Sequence, residues 1–432
     1  MYHQNGLGTG LDPAATRLQP LTAAWTSSVL DGQLFGEPLV FAGHVFVATE
    51  SDTVYALEAR TGAVVWSRHL ASPVPAGGLG CGNIMPTVGI TGTPVIDPER
   101  HEIFVVADEQ AGGSGAAHHL YGLDLSTGKV ELNQNVDPPG SQPEAQLQRP
   151  GLALADGQVL ISYGGNYGDC PSYHGWEVAI PVGGGTARTF EVDSAAGDSQ
   201  GAIWMGGAAP VVDGLGNIWV TTGNGSVHSS TPPWTNYDDS DAVLELSADL
   251  SLMQYFAPAT WASDNASDFD LGSAQVALVG GQAFVAGKSH IGYLLEGSRL
   301  GGIGPAEAQL PVCGSDPGGG IAQSGSTVYV PCGSGLEALQ IVASPPSMKI
   351  LWQSPIPNSG PAVIAGGLVW TLTTDGVLYG LSPATGSAVV TEAIGPEANH
   401  FPTPTVADGL LLAPSSDQVH AFAGPAGLPP AA

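Results

Sequence analysis

Positive charge is what this sequence has least of. Ten Lys and Arg residues stand against 39 Asp and Glu in 432 residues, a formal net charge of −29. A surface that acidic repels phosphate backbones and anionic headgroups, so nucleic acid is excluded as a partner. Long apolar runs are also missing. None approaches the ~18 residues of a membrane-crossing helix, so no membrane span is expected. Cysteine is confined to Cys81, Cys170, Cys313 and Cys332. No CxxC or CxxCH occurs among them, which excludes c-type haem attachment and the common zinc ribbons, so no haem is expected. Absent too are long 3.6-period stretches, GxSxG nucleophile signatures and Gly-rich phosphate loops at convincing positions. Met1-Tyr-His-Gln-Asn reads as mature sequence with no secretory leader.

Four cysteines allow three pairings. Cys313 and Cys332 lie 19 residues apart within one repeat unit, so we expect them to pair. Cys81–Cys170 would then join loops of two neighbouring units. Paired cysteines with only three lysines point to an oxidising compartment, secreted or periplasmic.

What is present is repetition. Val54-Tyr-Ala-Leu-Glu-Ala-Arg-Thr-Gly-Ala-Val-Val-Trp66, Leu120-Tyr-Gly-Leu-Asp-Leu-Ser-Thr-Gly-Lys-Val130 and Leu378-Tyr-Gly-Leu-Ser-Pro-Ala-Thr-Gly-Ser-Ala-Val389 share one pattern. Each is an alternating strand, a Thr-Gly turn and a second apolar strand. Such a unit cannot bury its hydrophobic face alone, so copies must stack on a shared core. Weaker copies start near 175, 241, 291, 335 and 418, giving eight units spaced by 40 to 66 residues. With 62 Gly and 35 Pro supplying turns, this spacing predicts an all-β chain, an eight-bladed β-propeller of four-stranded antiparallel blades. The last unit stops after Phe422 without a fourth strand, while residues 22–29 have no earlier partner. An N-terminal strand is therefore expected to complete the eighth blade and close the ring, which removes an exposed edge. Residues 1–432 would form a single propeller domain with 424–432 as a tail.

The repeat resembles the pyrroloquinoline-quinone-type β-propeller family, whose blades carry a YALDxxTGxxxW segment. The resemblance implies that Trp66, Trp352 and Trp25 dock blade on blade, with Leu132 standing in the second blade. The Thr-Gly turns fall on one face of the ring, and the loops rich in unusual residues fall on the other. Three of those loops resemble segments of quinoprotein alcohol dehydrogenases. Ile203-Trp-Met-Gly206 with Ile218-Trp-Val-Thr-Thr-Gly-Asn-Gly-Ser226 implies Asn224 as a ligand of an active-site cation and Trp204 as the stacking floor under a quinone. Trp261-Ala-Ser-Asp-Asn-Ala-Ser-Asp-Phe-Asp-Leu-Gly272 implies Asp268 as general base beside the cation and Asp270 as a further cation ligand. Ala286-Gly-Lys-Ser-His-Ile-Gly-Tyr-Leu-Leu295 implies Lys288 as the cation that contacts and polarises the quinone. The implied cofactor is pyrroloquinoline quinone with calcium or a lanthanide.

The sequence also departs from that family. Tyr163-Gly-Gly-Asn-Tyr-Gly-Asp-Cys170 replaces the segment bearing the third cation ligand, so Tyr167 stands where a Glu would, two residues before Asp169. The adjacent-cysteine disulfide is absent, and the blade-two arginine has no clear match. His118, His119, Asp169, His174 and His290 offer an alternative mouth site, because imidazoles with carboxylates can bind a metal or act as acid and base. The reading is a quinone-dependent dehydrogenase of an alcohol, polyol or sugar, a small-molecule or carbohydrate substrate, with a separate electron acceptor. The alternatives are a non-redox propeller binding carbohydrate or protein, and a lyase or hydrolase using the mouth histidines.

Overall fold

The computed structural model describes residues 1–427 except 16, 82–83, 113–114, 171 and 227–236. Eight four- or five-stranded sheets follow one another around a ring, with a separate two-stranded ribbon of Val74–Pro75 and Thr87–Val88. Blade 1 consists of Leu39–Phe41, His44–Ala48, Thr53–Glu58 and Val64–His69, paired antiparallel in chain order. Blade 2 repeats it with Val95–Asp97, Glu102–Ala111, Gly115–Asp124 and Val130–Asn135. In blades 3 to 8 the third, repeat-bearing strands are Trp176–Pro181, Val243–Leu246, Ile291–Glu296, Gly335–Ala343, Val377–Leu381 and Gln418–Ala423. Each begins at or within a few residues of its expected start. Blade 8 takes its fourth strand from Thr22–Thr26, which pairs antiparallel with Gln418–Ala423. The ring is closed as the unpaired last unit required. Of the expected tail, residues 428–432 lie outside the described residues.

The core lies between blades, because each sheet is apolar on both faces. One buried cluster joins Leu39, Phe46 and Ala56 of blade 1 to Ile96, Ile103 and Tyr121 of blade 2. The outermost strands instead face solvent, as in the largely exposed Val64–His69. Three tryptophans bolt neighbouring blades together. Trp25 Nε1 donates to Ala59 O (2.9 Å), Trp66 Nε1 to Leu125 O (3.0 Å) and Trp352 Nε1 to Pro383 O (2.8 Å). Each ring lies against the glycine of the next blade's Thr-Gly turn, where a Cβ would approach to 2.4 Å at Gly62, 2.6 Å at Gly128 and 2.3 Å at Gly386. Those glycines also have φ near +70°. The repeat glycine thus serves the turn and the dock at once. In blade 2 Leu132 takes the tryptophan's place against Gly184.

Two features were not legible in advance. Gly302–Gly304 adds a fifth, parallel strand to blade 4, and Leu11–Asp12 does the same for blade 7. Both disulfides, Cys81–Cys170 and Cys313–Cys332, are present.

Candidate functional site

A cavity of about 690 Å³ opens on the loop-rich side of the ring, with Arg149, Trp204, Asp268, Asp270, Lys288 and Phe401 in its wall. The side chains singled out from the blade 4 and blade 5 loops meet there because three glycines let their backbones converge. A Cβ on Gly223 would lie 2.3 Å from Asp270 Oδ1, one on Gly272 2.6 Å from Gly223 N, and one on Gly287 2.5 Å from Asp270 O. A short helix, Trp261–Asn265, carries the chain into this crossing. Its Trp261 is fully buried, and Asn265 Oδ1 accepts from Gly225 N at 3.0 Å. Trp204 precedes a left-handed turn at Met205, Gly206 and Gly207 (φ 42°, 56° and 83°).

The polar contacts are dense. Asn224 N donates to Asp270 Oδ1 (2.8 Å), and Asn224 Nδ2 donates to Asp268 Oδ1 (2.7 Å). Lys288 Nζ sits 2.5 Å from Asp270 Oδ2, 3.3 Å from Asp268 Oδ1 and 5.6 Å from the Trp204 ring centroid. Burial pushes the Asp270 carboxyl up, opposed by the Lys288 ammonium and the Asn224 amide. Burial also works against the Lys288 charge, but Asp270 and Asp268 more than offset it and hold the ammonium firmly protonated. Asn224 Oδ1 is buried without a hydrogen-bond partner.

The same cavity is lined by Arg149, which the motifs did not single out. Its guanidinium is buried, with Cζ 5.5 Å from the Phe35 centroid and 5.8 Å from that of Phe401, and Nη2 donates to His400 O at 2.5 Å. Desolvation lowers its pKa to about 10. Gly207 makes room for it, since a Cβ there would lie 2.4 Å from Nη1. The signal that could have found Arg149 was scarcity: two of the ten basic residues line one cavity.

The histidines are not brought together. His118 is buried between Asp137 (2.9 Å) and Asp108 (3.8 Å). Desolvation opposes its charge, but the two carboxylates prevail and raise its pKa. His119 Nδ1 contacts Asn133 (2.7 Å), His174 lies 3.7 Å from Glu191, and His290 pairs with Asp316 (3.0 Å). None of the four lines the cavity. Asp169 does line it, and accepts from the Tyr173 hydroxyl at 2.7 Å. Tyr167 also borders the cavity, is 68% exposed and brings no carboxylate. Among the described residues, no three His, Cys, Asp or Glu side chains converge at metal-holding distance.

The donor set can be tested against a flat, polyanionic cofactor with a hard cation. An indole face, the buried Arg149 and half-buried Lys288 cations and a cavity of this volume suit the planar anion. Asn224 Oδ1 with two carboxylates suits the cation on one side, since hard cations take oxygen ligands. On the Tyr167 side the cavity-lining carboxylate is Asp169, which accepts from the Tyr173 hydroxyl.

The fold and this loop constellation define a class, the propellers built from quinoprotein-type repeats. The chain belongs to that repeat family: its model, described as that of the outer membrane protein assembly factor BamB, matches residues 20–168 and 340–424. A polyvinylalcohol dehydrogenase of Sphingopyxis sp. (strain 113P3) is 25% identical over 247 residues, covering 52% of this chain and 33% of that protein. The match thus spans about a third of that relative's length. The quinohemoprotein alcohol dehydrogenase of Comamonas testosteroni superposes with a TM-score of 0.73 at 16% identity, over 99% of this chain and 81% of that one. A europium-containing methanol dehydrogenase gives 0.70 at 14% identity, over 98% and 97%.

Proposed function

We propose that this propeller is a quinone-dependent dehydrogenase acting on an alcohol, polyol or sugar in an oxidising compartment outside the cytoplasm. The observation that carries the reading is the meeting of Trp204, Asp268, Asp270 and Lys288 in the wall of one cavity, with Asn224 bonded to both aspartates, all drawn from three separated motifs. The resemblance to dehydrogenases in both sequence and fold supports it, and the two disulfides support the compartment.

In this reading Trp204 would offer the face on which a flat ring stacks, while Lys288 and Arg149 would hold its anionic groups. Asn224 Oδ1, Asp268 and Asp270 would supply oxygen ligands to calcium or a lanthanide. Pyrroloquinoline quinone, when bound, supplies the two-electron acceptor for the hydride that leaves the carbinol carbon, and a separate acceptor takes the electrons onward. The Asp268 side chain, 69% exposed at the cavity, takes the hydroxyl proton of the substrate. Loss of that proton acceptor removes about 10²–10⁴-fold in rate. Dye-linked oxidation of a panel of alcohols by protein loaded with the quinone and Ca²⁺ or La³⁺ is the test. Asp268→Asn should abolish turnover while keeping the quinone bound, and unchanged turnover in that variant would remove Asp268 as base.

One observation favours a second reading. Tyr167 (68% exposed) and Phe269 (44%) are exposed aromatics flanking this site, the chemistry on which sugar rings stack. A non-redox carbohydrate-binding propeller would bind oligosaccharides without turnover and lose affinity in Tyr167→Ala.

A further inference from the structure

The first ten residues run through the middle of the ring instead of along its outside. His3 N donates to Glu37 Oε2 of the loop leading into blade 1 (2.8 Å), and Val212 N of blade 4 donates to Gly6 O (2.7 Å). Gln323 N of blade 6 donates to Thr9 O (2.8 Å), and Ile364 N of blade 7 donates to Gly10 O (2.6 Å). Gln4 Nε2 donates to Val406 O of blade 8 (2.7 Å). Gly8 lies so close to Gln275, ahead of blade 5, that a Cβ would meet its amide at 2.6 Å. Met1 packs on the cluster that joins blades 2 and 3. A segment in contact with every blade can only lie along the ring axis.

This segment also supports the cavity. Tyr2 and His3 are buried (3% and 0% exposed) and stacked, with centroids 4.3 Å apart at 12°. The Tyr2 hydroxyl accepts from Gly320 N at 3.2 Å, and a Cβ on Gly320 would lie 2.5 Å from it. Gly319, next in the chain, meets the turn after Trp204: a Cβ on Gly206 would lie 2.1 Å from Gly319 N. Tyr2 packs in the same buried cluster as Ile203, Met205 and Ala208, which bracket Trp204. It does not line the cavity itself. It lies behind the turns 204–207 and 318–320, which bring Trp204 and Gly318 to the cavity wall.

We infer that residues 1–10 form an axial plug that leaves the cavity one entrance, and that Tyr2 is a positioning residue for Trp204. The physical reason is the turn itself. Met205, at φ 42° ahead of two glycines, holds a left-handed conformation that costs a residue with a side chain and that surrounding contacts must over-determine. Without Tyr2, the glycine-on-glycine contact loses its backing and the indole gains freedom. The inference stands whether or not a quinone binds.

The test uses the whole chain. Acrylamide quenching of Trp204 fluorescence, isolated by subtracting the Trp204→Phe variant, should rise at least threefold in Tyr2→Ala. Amides of 204–207 and 318–320 should exchange hydrogen at least tenfold faster, with exchange in the blade strands unchanged. Tyr2→Phe, which keeps the ring and loses only the hydroxyl's hydrogen bonds to Gly320 and Thr403, should restore most of the quenching resistance. A folded Tyr2→Ala protein with wild-type quenching and exchange would overturn the positioning role, as would uniform loosening of all blades. If Tyr2→Ala does not fold, exchange in the wild-type protein decides. Amides of residues 3–10 should be protected comparably to the blade strands, and exchange within seconds would overturn the plug.

Discussion

Lys288 is the strongest lever on the proposed site, and its removal has a worked consequence. Lys288→Met keeps the stem length and deletes the charge that faces Asp270 at 2.5 Å. Asp270 is only 7% exposed, so its carboxylate then stays buried with Asn224 N as its remaining donor. Breaking a buried pair from one side costs about 3–5 kcal/mol. The cost depends on pH, and its sign follows from the shift. Burial already raises the Asp270 pKa, Lys288 counteracts it, and the substitution lifts it further. A carboxyl with a raised folded pKa is destabilising where it must be ionised and harmless where it is protonated. The loss should therefore be nearly full at pH 8 and shrink towards pH 5. Lys288→Met/Asp270→Asn should recover more than half of it. Urea unfolding with a chelator present, at both pH values, measures all three. A loss below about 1 kcal/mol at pH 8, unchanged at pH 5, is the behaviour of a solvent-screened surface pair and would refute the reasoning.

Three further outcomes are expected. Gly62→Ala forces a Cβ into the Trp25 ring at φ +70°; left-handed strain plus overpacking amounts to about 2–5 kcal/mol in denaturant unfolding, and a loss below 0.5 kcal/mol would mean that the blade 8–blade 1 dock is slack. Burial pushes Glu37, Glu50 and Asp108 up to about 7 and Glu177 and Asp193 up to about 8. Their contributions are complete at low pH and lost as pH rises through 7 to 8, so the thermal midpoint should be higher at pH 5 than at pH 8.5 by roughly 5 °C or more; a higher midpoint at pH 8.5 would contradict this. Replacing Cys313 and Cys332 by Ser opens a closed loop of 19 residues and should cost about 3 kcal/mol on the loop-entropy estimate, read by unfolding under non-reducing conditions.

The ring was legible because its repeat is written locally. Strand alternation, the Thr-Gly turn and the docking tryptophan recur every blade, and the missing fourth strand of the last unit pointed to Thr22–Thr26. The site was legible only where a local motif carried it. Asn224, Asp268, Asp270 and Lys288 come from loops whose short signatures survive, and the glycines that let them converge sit in those same signatures. Arg149 falls on the loop-rich face but had no role assigned to it, because no motif surrounds it; its setting depends on Phe35 and Phe401, far away in sequence. The histidine grouping misled for the same reason. Residues on separate blades share a face by topology, but their distances are set by loop paths that spacing does not encode. The axial segment 1–10 was invisible because its contacts are mostly single hydrogen bonds to elements scattered around the ring.

The central claim is that this cavity holds a flat quinone between Trp204, Lys288 and Arg149. An absorbance and tryptophan-fluorescence titration of the protein with pyrroloquinoline quinone, with Ca²⁺ or La³⁺ and without, tests it most directly. Saturable one-to-one binding with quenched Trp204 emission, weakened at least tenfold in Lys288→Met and in Arg149→Gln, is the result the account requires. No saturable binding with either cation, or binding indifferent to both substitutions, would contradict it.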